Sequence, residues 1–109
     1  MKISNIIASG KFSAVSVSDE EREISGIYIG DLLSWVMGRA QADNAWITIM
    51  SNINIVAVAS LVDVACIILA EGVELEASVI ETAKSKGINI LATALPAYEA
   101  AMELSGLRK

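Results

Sequence analysis

The sequence predicts an α/β fold: a small single-domain sheet, mainly parallel, made of β-α-β units with helices packed on it. Three observations carry this. The runs Trp46-Ile-Thr-Ile-Met50, Ala65-Cys-Ile-Ile-Leu69 and Asn89-Ile-Leu-Ala92 have the length and apolar content of buried strands. The segments between them have helical spacing, and parallel neighbours need crossovers of that kind. The chain has 109 residues, of which 54% are apolar and only 5% aromatic. That fits one domain, residues 1–109, with a core of Ile, Val, Leu and Ala.

Taken in order, Ile3, Ile6 and Ile7 repeat at helical spacing up to Ser9-Gly10, which predicts a short capping helix. The alternating runs Ser13-Ala-Val-Ser-Val-Ser18 and Glu23-Ile-Ser-Gly-Ile-Tyr-Ile29 flank the charged connection Asp19-Glu-Glu-Arg-Glu23 and are candidates for an N-terminal hairpin. Asp31 is placed to cap a helix whose apolar face holds Leu32, Leu33, Trp35, Val36 and Met37. After the strand 46–50, Ser51 or Asn52 caps a helix over 53–62.

On a helical wheel Ile53, Val56, Ala57, Ser60 and Leu61 fall on one side of that helix, and Ile55, Val58, Ala59 and Val62 fall on the other. A helix apolar all round must be covered twice, and a small sheet covers one side. Ile55, Val58, Ala59 and Val62 are therefore the expected subunit interface. Further on, a helix over about 75–85 ends at Gly87, a residue suited to a left-handed terminus. Pro96 opens a last helix expected to stop at Gly106. Met102, like the other methionines, is expected to fill the core.

Eight basic against thirteen acidic residues give a net charge of −5 and the wrong sign for gripping a phosphate backbone, so no nucleic-acid partner is expected. The single cysteine, Cys66, lies inside an apolar strand and reads as a buried, inert thiol in a reducing compartment. The most membrane-like stretch, 53–70, is interrupted by Asn54, Ser60 and Asp63, and the first residues lack the long apolar run of a secretory signal. A cytoplasmic protein with no membrane partner is expected.

The chemistry on offer is narrow. There is no histidine, and no serine sits in a Gly-x-Ser-x-Gly setting, so no nucleophilic triad can be assembled. Asp19, Glu20, Glu21 and Glu23 read as a solvated acidic turn, and no metal or cofactor is expected. No phosphate loop of the Gly-x-x-x-x-Gly-Lys type is present. Open parallel sheets place their ligand crevice beyond the carboxyl ends of the strands, where Asp31, Ser51, Asn52, Glu71 and Thr93 fall. These five are the expected ligand contacts, with plain helix capping as the competing role for Ser51, Asn52, Thr93 and Asp31.

The segments Glu23-Ile-Ser-Gly-Ile-Tyr-Ile-Gly-Asp-Leu-Leu-Ser34, Trp46-Ile-Thr-Ile49, Ala65-Cys-Ile-Ile-Leu-Ala-Glu-Gly72 and Gly87-Ile-Asn-Ile-Leu-Ala-Thr93 make the chain resemble a DRTGG domain over nearly its whole length. Such domains also occur in HPr kinase/phosphorylase, in long phosphotransacetylases and between the CBS domains of some pyrophosphatases. Where the family's charged, name-giving motif would fall, this chain has Met50-Ser-Asn-Ile-Asn54, with neither acid nor base. The resemblance implies a regulatory or dimerisation module beside catalytic domains, here expected to act in trans.

The expected function is accordingly a non-catalytic regulatory module, a homodimer that senses a ligand or binds a protein. Its expected partners are a metabolic enzyme or a small phosphorylated or nucleotide ligand. The rival readings are a small enzyme acting on a phosphorylated metabolite at the strand ends, and a structural adaptor for a larger enzyme.

Overall fold

The computed structural model describes residues 1–108. Along the chain these form α1 (Ile3–Ala8), β1 (Ser13–Ser16), β2 (Gly26–Ile29), α2 (Leu33–Arg39), β3 (Asn44–Thr48), α3 (Asn54–Val62), β4 (Cys66–Leu69), α4 (Ala77–Ser85), β5 (Ile90–Ala92) and α5 (Ala97–Leu107). The strands make one sheet in the order β1-β5-β4-β3-β2. β2 to β5 run parallel, and β1 joins β5 antiparallel.

Side chains alternate across this sheet with the period of two that a strand imposes. Ala45, Ile47, Cys66, Ile68 and Leu91 point to one face, where Ile3 and Ile6 of α1 and Ala100 and Leu104 of α5 cover them. Trp46, Ile67, Leu69 and Ile90 point to the other face, under Val36 of α2, four residues of α3, and Val79 and Ala83 of α4. The result is three layers, helix on sheet on helix. Because β2 to β5 follow one another in sequence across the sheet, their three crossover helices all lie on the same face. The parallel strands thus contain no reversal of winding, the usual origin of a ligand crevice.

The expected hairpin does not form: β1 and β2 lie at opposite edges of the sheet. The acidic connection offers no tight Gly- or Asn-based turn, and it is tied down elsewhere. The buried Asn89 accepts from the Ser18 and Asp19 N–H groups at 2.8 and 3.0 Å and donates to the carbonyls of Asp19 and Ala65, both at 3.1 Å. Arg22 then reaches Asp43 and Asp63, each at 2.9 Å, and the Asp63 carbonyl at 2.7 Å. Burial opposes the guanidinium charge, but the bonds to Asp63 and Asp43 outweigh it and hold Arg22 above its ordinary range. Both aspartates have left-handed backbones, with φ of 65° and 66°.

The side of α3 expected to meet a partner faces inward. Ile55, Val58 and Ala59 are buried and Val62 is half-buried within a single chain. α3 is the middle helix of its layer, flanked by α2 and α4, and this side packs into the core with Trp46, Ile67 and Leu69 of the sheet. Its outward residues are Ile53, Ala57, Ser60 and Leu61. α5 runs through Gly106 to Leu107 instead of stopping, and Met37 and Met102 are exposed instead of filling the core.

The two ends of the described chain meet. The Met1 ammonium pairs with Glu23 at 3.2 Å and its carbonyl accepts from the Ile24 N–H at 2.9 Å, while the Arg108 guanidinium donates to the Ser25 carbonyl at 3.1 Å.

Candidate functional site

The carboxyl ends of the strands are held by side chains that bond back to the backbone. At β2 and β3, Asp31 Oδ1 accepts from the Thr48 hydroxyl at 2.8 Å and from the Ile49 N–H at 3.0 Å. The Trp46 indole N–H donates to the Gly30 carbonyl at 2.9 Å. Asp31 is therefore a clasp between strand ends and not a helix cap; the N-cap position of α2 belongs to Leu32.

At β5, the buried Thr93 donates its hydroxyl to the Lys11 carbonyl at 2.9 Å and accepts from the Leu95 N–H at 3.1 Å. Glu71 follows β4 in a left-handed turn, with φ of 60°, and its N–H donates to the Leu95 carbonyl at 2.9 Å. These contacts join the loops after β4 and β5.

Ser51 and Asn52 are placed differently. Both line a polar cleft of about 530 Å³ between the amino ends of α3 and α4, together with Ile53, Glu74, Glu76 and Ser78. Asn52 Oδ1 accepts from the Asn54 N–H at 2.9 Å and so stabilises the first turn of α3, although the N-cap position itself is Ile53. No side chain caps α4, whose N-cap residue is Glu76. The first N–H groups of α3 are taken up by Asn52 and Ile53, so the free N–H groups come from the amino end of α4, while both helices turn positive dipole ends to the cleft and two carboxylates supply acceptors. Such a mixture suits a ligand with both hydroxyl or amine donors and oxygen acceptors.

Of the five expected contacts, the cleft brings Ser51 and Asn52 together and leaves Asp31, Glu71 and Thr93 outside its lining. Glu74, Glu76 and Ser78 were not expected there. The sequence placed the helix start near residue 75, which made Glu76 an outward helical residue; α4 in fact begins at Ala77, and the longer loop carries these carboxylates over the strand ends.

A profile of the DRTGG domain family matches residues 8–107. The chain belongs to the DRTGG domain family. No curated protein matches it. Among solved structures, the DRTGG fold is shared with the CBS and DRTGG domains of the regulatory region of Clostridium perfringens pyrophosphatase, complexed with the activator diadenosine tetraphosphate. The TM-score is 0.76 at 15% identity, and the match covers 93% of this chain and 44% of that one. The chain thus spans less than half of the neighbour's length.

Within this DRTGG domain, Cys66 is fully buried, and burial pushes its thiol up to about 12, with Arg22 acting weakly in the opposite direction. A thiol held neutral in this way is a poor nucleophile. Among the described residues no cluster of three metal-ligating side chains occurs, and no helix is long and apolar enough to cross a membrane.

Proposed function

We propose that this DRTGG domain is a non-catalytic regulatory module that senses a small nucleotide or phosphorylated ligand and works as a homodimer. The observation that carries the ligand reading is the cleft where Ser51, Asn52, Glu74, Glu76 and Ser78 meet between two helix amino ends. The neighbour's regulatory region, which takes a dinucleotide activator, supports the choice of ligand class. A ligand anchored to both α3 and α4 would bias the spacing of the two helices, giving the module a state that a partner can read.

In this arrangement the phosphate oxygens face the helix amino ends, and Glu74 and Glu76 accept from ribose hydroxyls or base amines. The carboxylates would repel a bare phosphate, so the ligand must offer donors as well as charge.

Calorimetric titration with diadenosine tetraphosphate, ATP and inorganic phosphate tests the proposal. Saturable binding of a nucleotide, weakened at least about tenfold by Ser78→Glu, is expected. Failure of all three to bind wild-type protein would remove the sensing role, and turnover of a bound nucleotide would favour the small-enzyme reading instead.

A further inference from the structure

The two edges of the sheet are built differently. β1 carries a register shift between Ala14 and Ser16, the kind of irregularity that discourages further strand pairing. β2, Gly26-Ile-Tyr-Ile29, is in regular register with β3 and contains no proline and no charged residue. The Gly30 N–H donates inward to the Ile47 carbonyl. Alternation along the strand then turns the N–H and C=O groups of Ile27 and Ile29 towards the open edge.

Apolar side chains flank that edge on both faces of the sheet. α5 packs over β3, one strand in from the edge, and leaves a groove of about 420 Å³ walled by Ile27, Ile29, Tyr98, Ala101 and Met102. Ile29, Met102 and Tyr98 are 48%, 56% and 68% exposed. On the other face α2 buries little beyond Val36 and leaves Leu32, Trp35 and Met37 exposed. Most of the exposed large apolar side chains among the described residues therefore belong to β2 and the segments flanking it.

We propose that β2 is the seam of the homodimer: the β2 strands of two copies pair antiparallel across a two-fold axis normal to the sheet. This rests on the homodimer reading above and gives it a surface. A second copy is the occupant that fits, because identical strands paired antiparallel are self-complementary. A two-fold normal to the sheet also keeps each face on its own side, so α5 meets α5 and α2 meets α2, covering both flanks at once. A single added peptide strand would fill the edge and leave α2 wet.

The charges agree with this pairing. The groove lining is uncharged, so two copies of net charge −5 meet along a neutral strip. Asp31 precedes α2, and Arg39 ends it with its guanidinium 3.5 Å from the centre of the Trp35 ring. The two-fold sets the α2 helices antiparallel, which brings the Arg39 end of each copy towards the Asp31 end of the other.

Light scattering at micromolar concentration, combined with amide exchange, tests the seam. The wild type should be a dimer with the Ile27 and Ile29 amides protected. Ile29→Lys and Met102→Glu should each give a folded monomer, by circular dichroism, in which those amides exchange freely. Leu61→Glu, on the exposed face of α3, should remain a dimer. A monomeric wild type would overturn both the dimer and its seam. A wild-type dimer that survives Ile29→Lys and Met102→Glu, with Ile27 and Ile29 amides unprotected, would overturn the seam and leave the dimer standing.

Discussion

Thr48 donates its hydroxyl to Asp31 across the carboxyl ends of β3 and β2 at 2.8 Å, and the same carboxylate oxygen accepts from the Ile49 N–H. Thr48 is buried, so losing this acceptor leaves a polar group without its partner. Asp31→Ala should cost about 1–3 kcal/mol of stability in urea unfolding. Asp31→Asn keeps an oxygen in the same place and should cost clearly less; equal losses for the two variants would contradict the clasp.

Val58 separates a partner-facing α3 from one buried in its own chain. It is 6% exposed, packed in the layer that α3 shares with α2 and α4. Val58→Asp should therefore unfold the chain at any protein concentration, since an unpaired buried carboxylate costs several kcal/mol. Leu61→Asp should change stability by no more than about 0.5 kcal/mol. Circular dichroism melts of both variants check the pair, and a folded, soluble Val58→Asp protein would be the contrary outcome.

Asn89 uses both its amide oxygen and its amide nitrogen to hold the connection between β1 and β2. Asn89→Leu removes all of these bonds and strands the Ser18 and Asp19 N–H groups near a buried position. A loss of at least about 2 kcal/mol is expected, with faster amide exchange at Ser18 and Asp19 than elsewhere in the domain. Uniform exchange across the variant would argue against this local fastening.

Cys66 gives the domain a sensitivity to alkali. Its folded value of about 12 lies above the ordinary 9.0, so between these pH values the unfolded chain loses a proton that the folded chain keeps. The unfolded state then binds fewer protons, and stability falls as pH rises through that window by up to about 1.4 kcal/mol per unit. Below pH 9 the thiol is neutral in both states and contributes no slope. Urea unfolding from pH 8 to 11 should show this decline, and Cys66→Ala should flatten it.

Much of the fold was legible because it depends on local pattern. The Ile3, Ile6 and Ile7 spacing located α1, and the runs around Trp46, Cys66 and Ile90 located three parallel neighbours within two residues. The pairing of β1 with β5 was not legible, since alternation shows that a strand has two faces and says nothing of which distant strand it joins. The wheel of α3 separated two sides but put the buried Val56 with the exposed Ile53, Ala57, Ser60 and Leu61, and which side faces the core depends on α2 and α4 sharing its layer, a property of strand order. For the cleft, Ser51 and Asn52 follow a strand directly and could be found. Glu74, Glu76 and Ser78 sit beyond a left-handed turn at Glu71 and Gly72, whose path across the strand ends no periodicity encodes.

Both ends of the described chain are tied to the short segment Glu23, Ile24 and Ser25, the first through Met1 and the last through the Arg108 side chain. A module of that form can be spliced into a loop of a host protein with little separation imposed on the flanking segments. In such a graft the module would act as a single pivot, and a signal would pass through contact surfaces instead of through tension along the backbone.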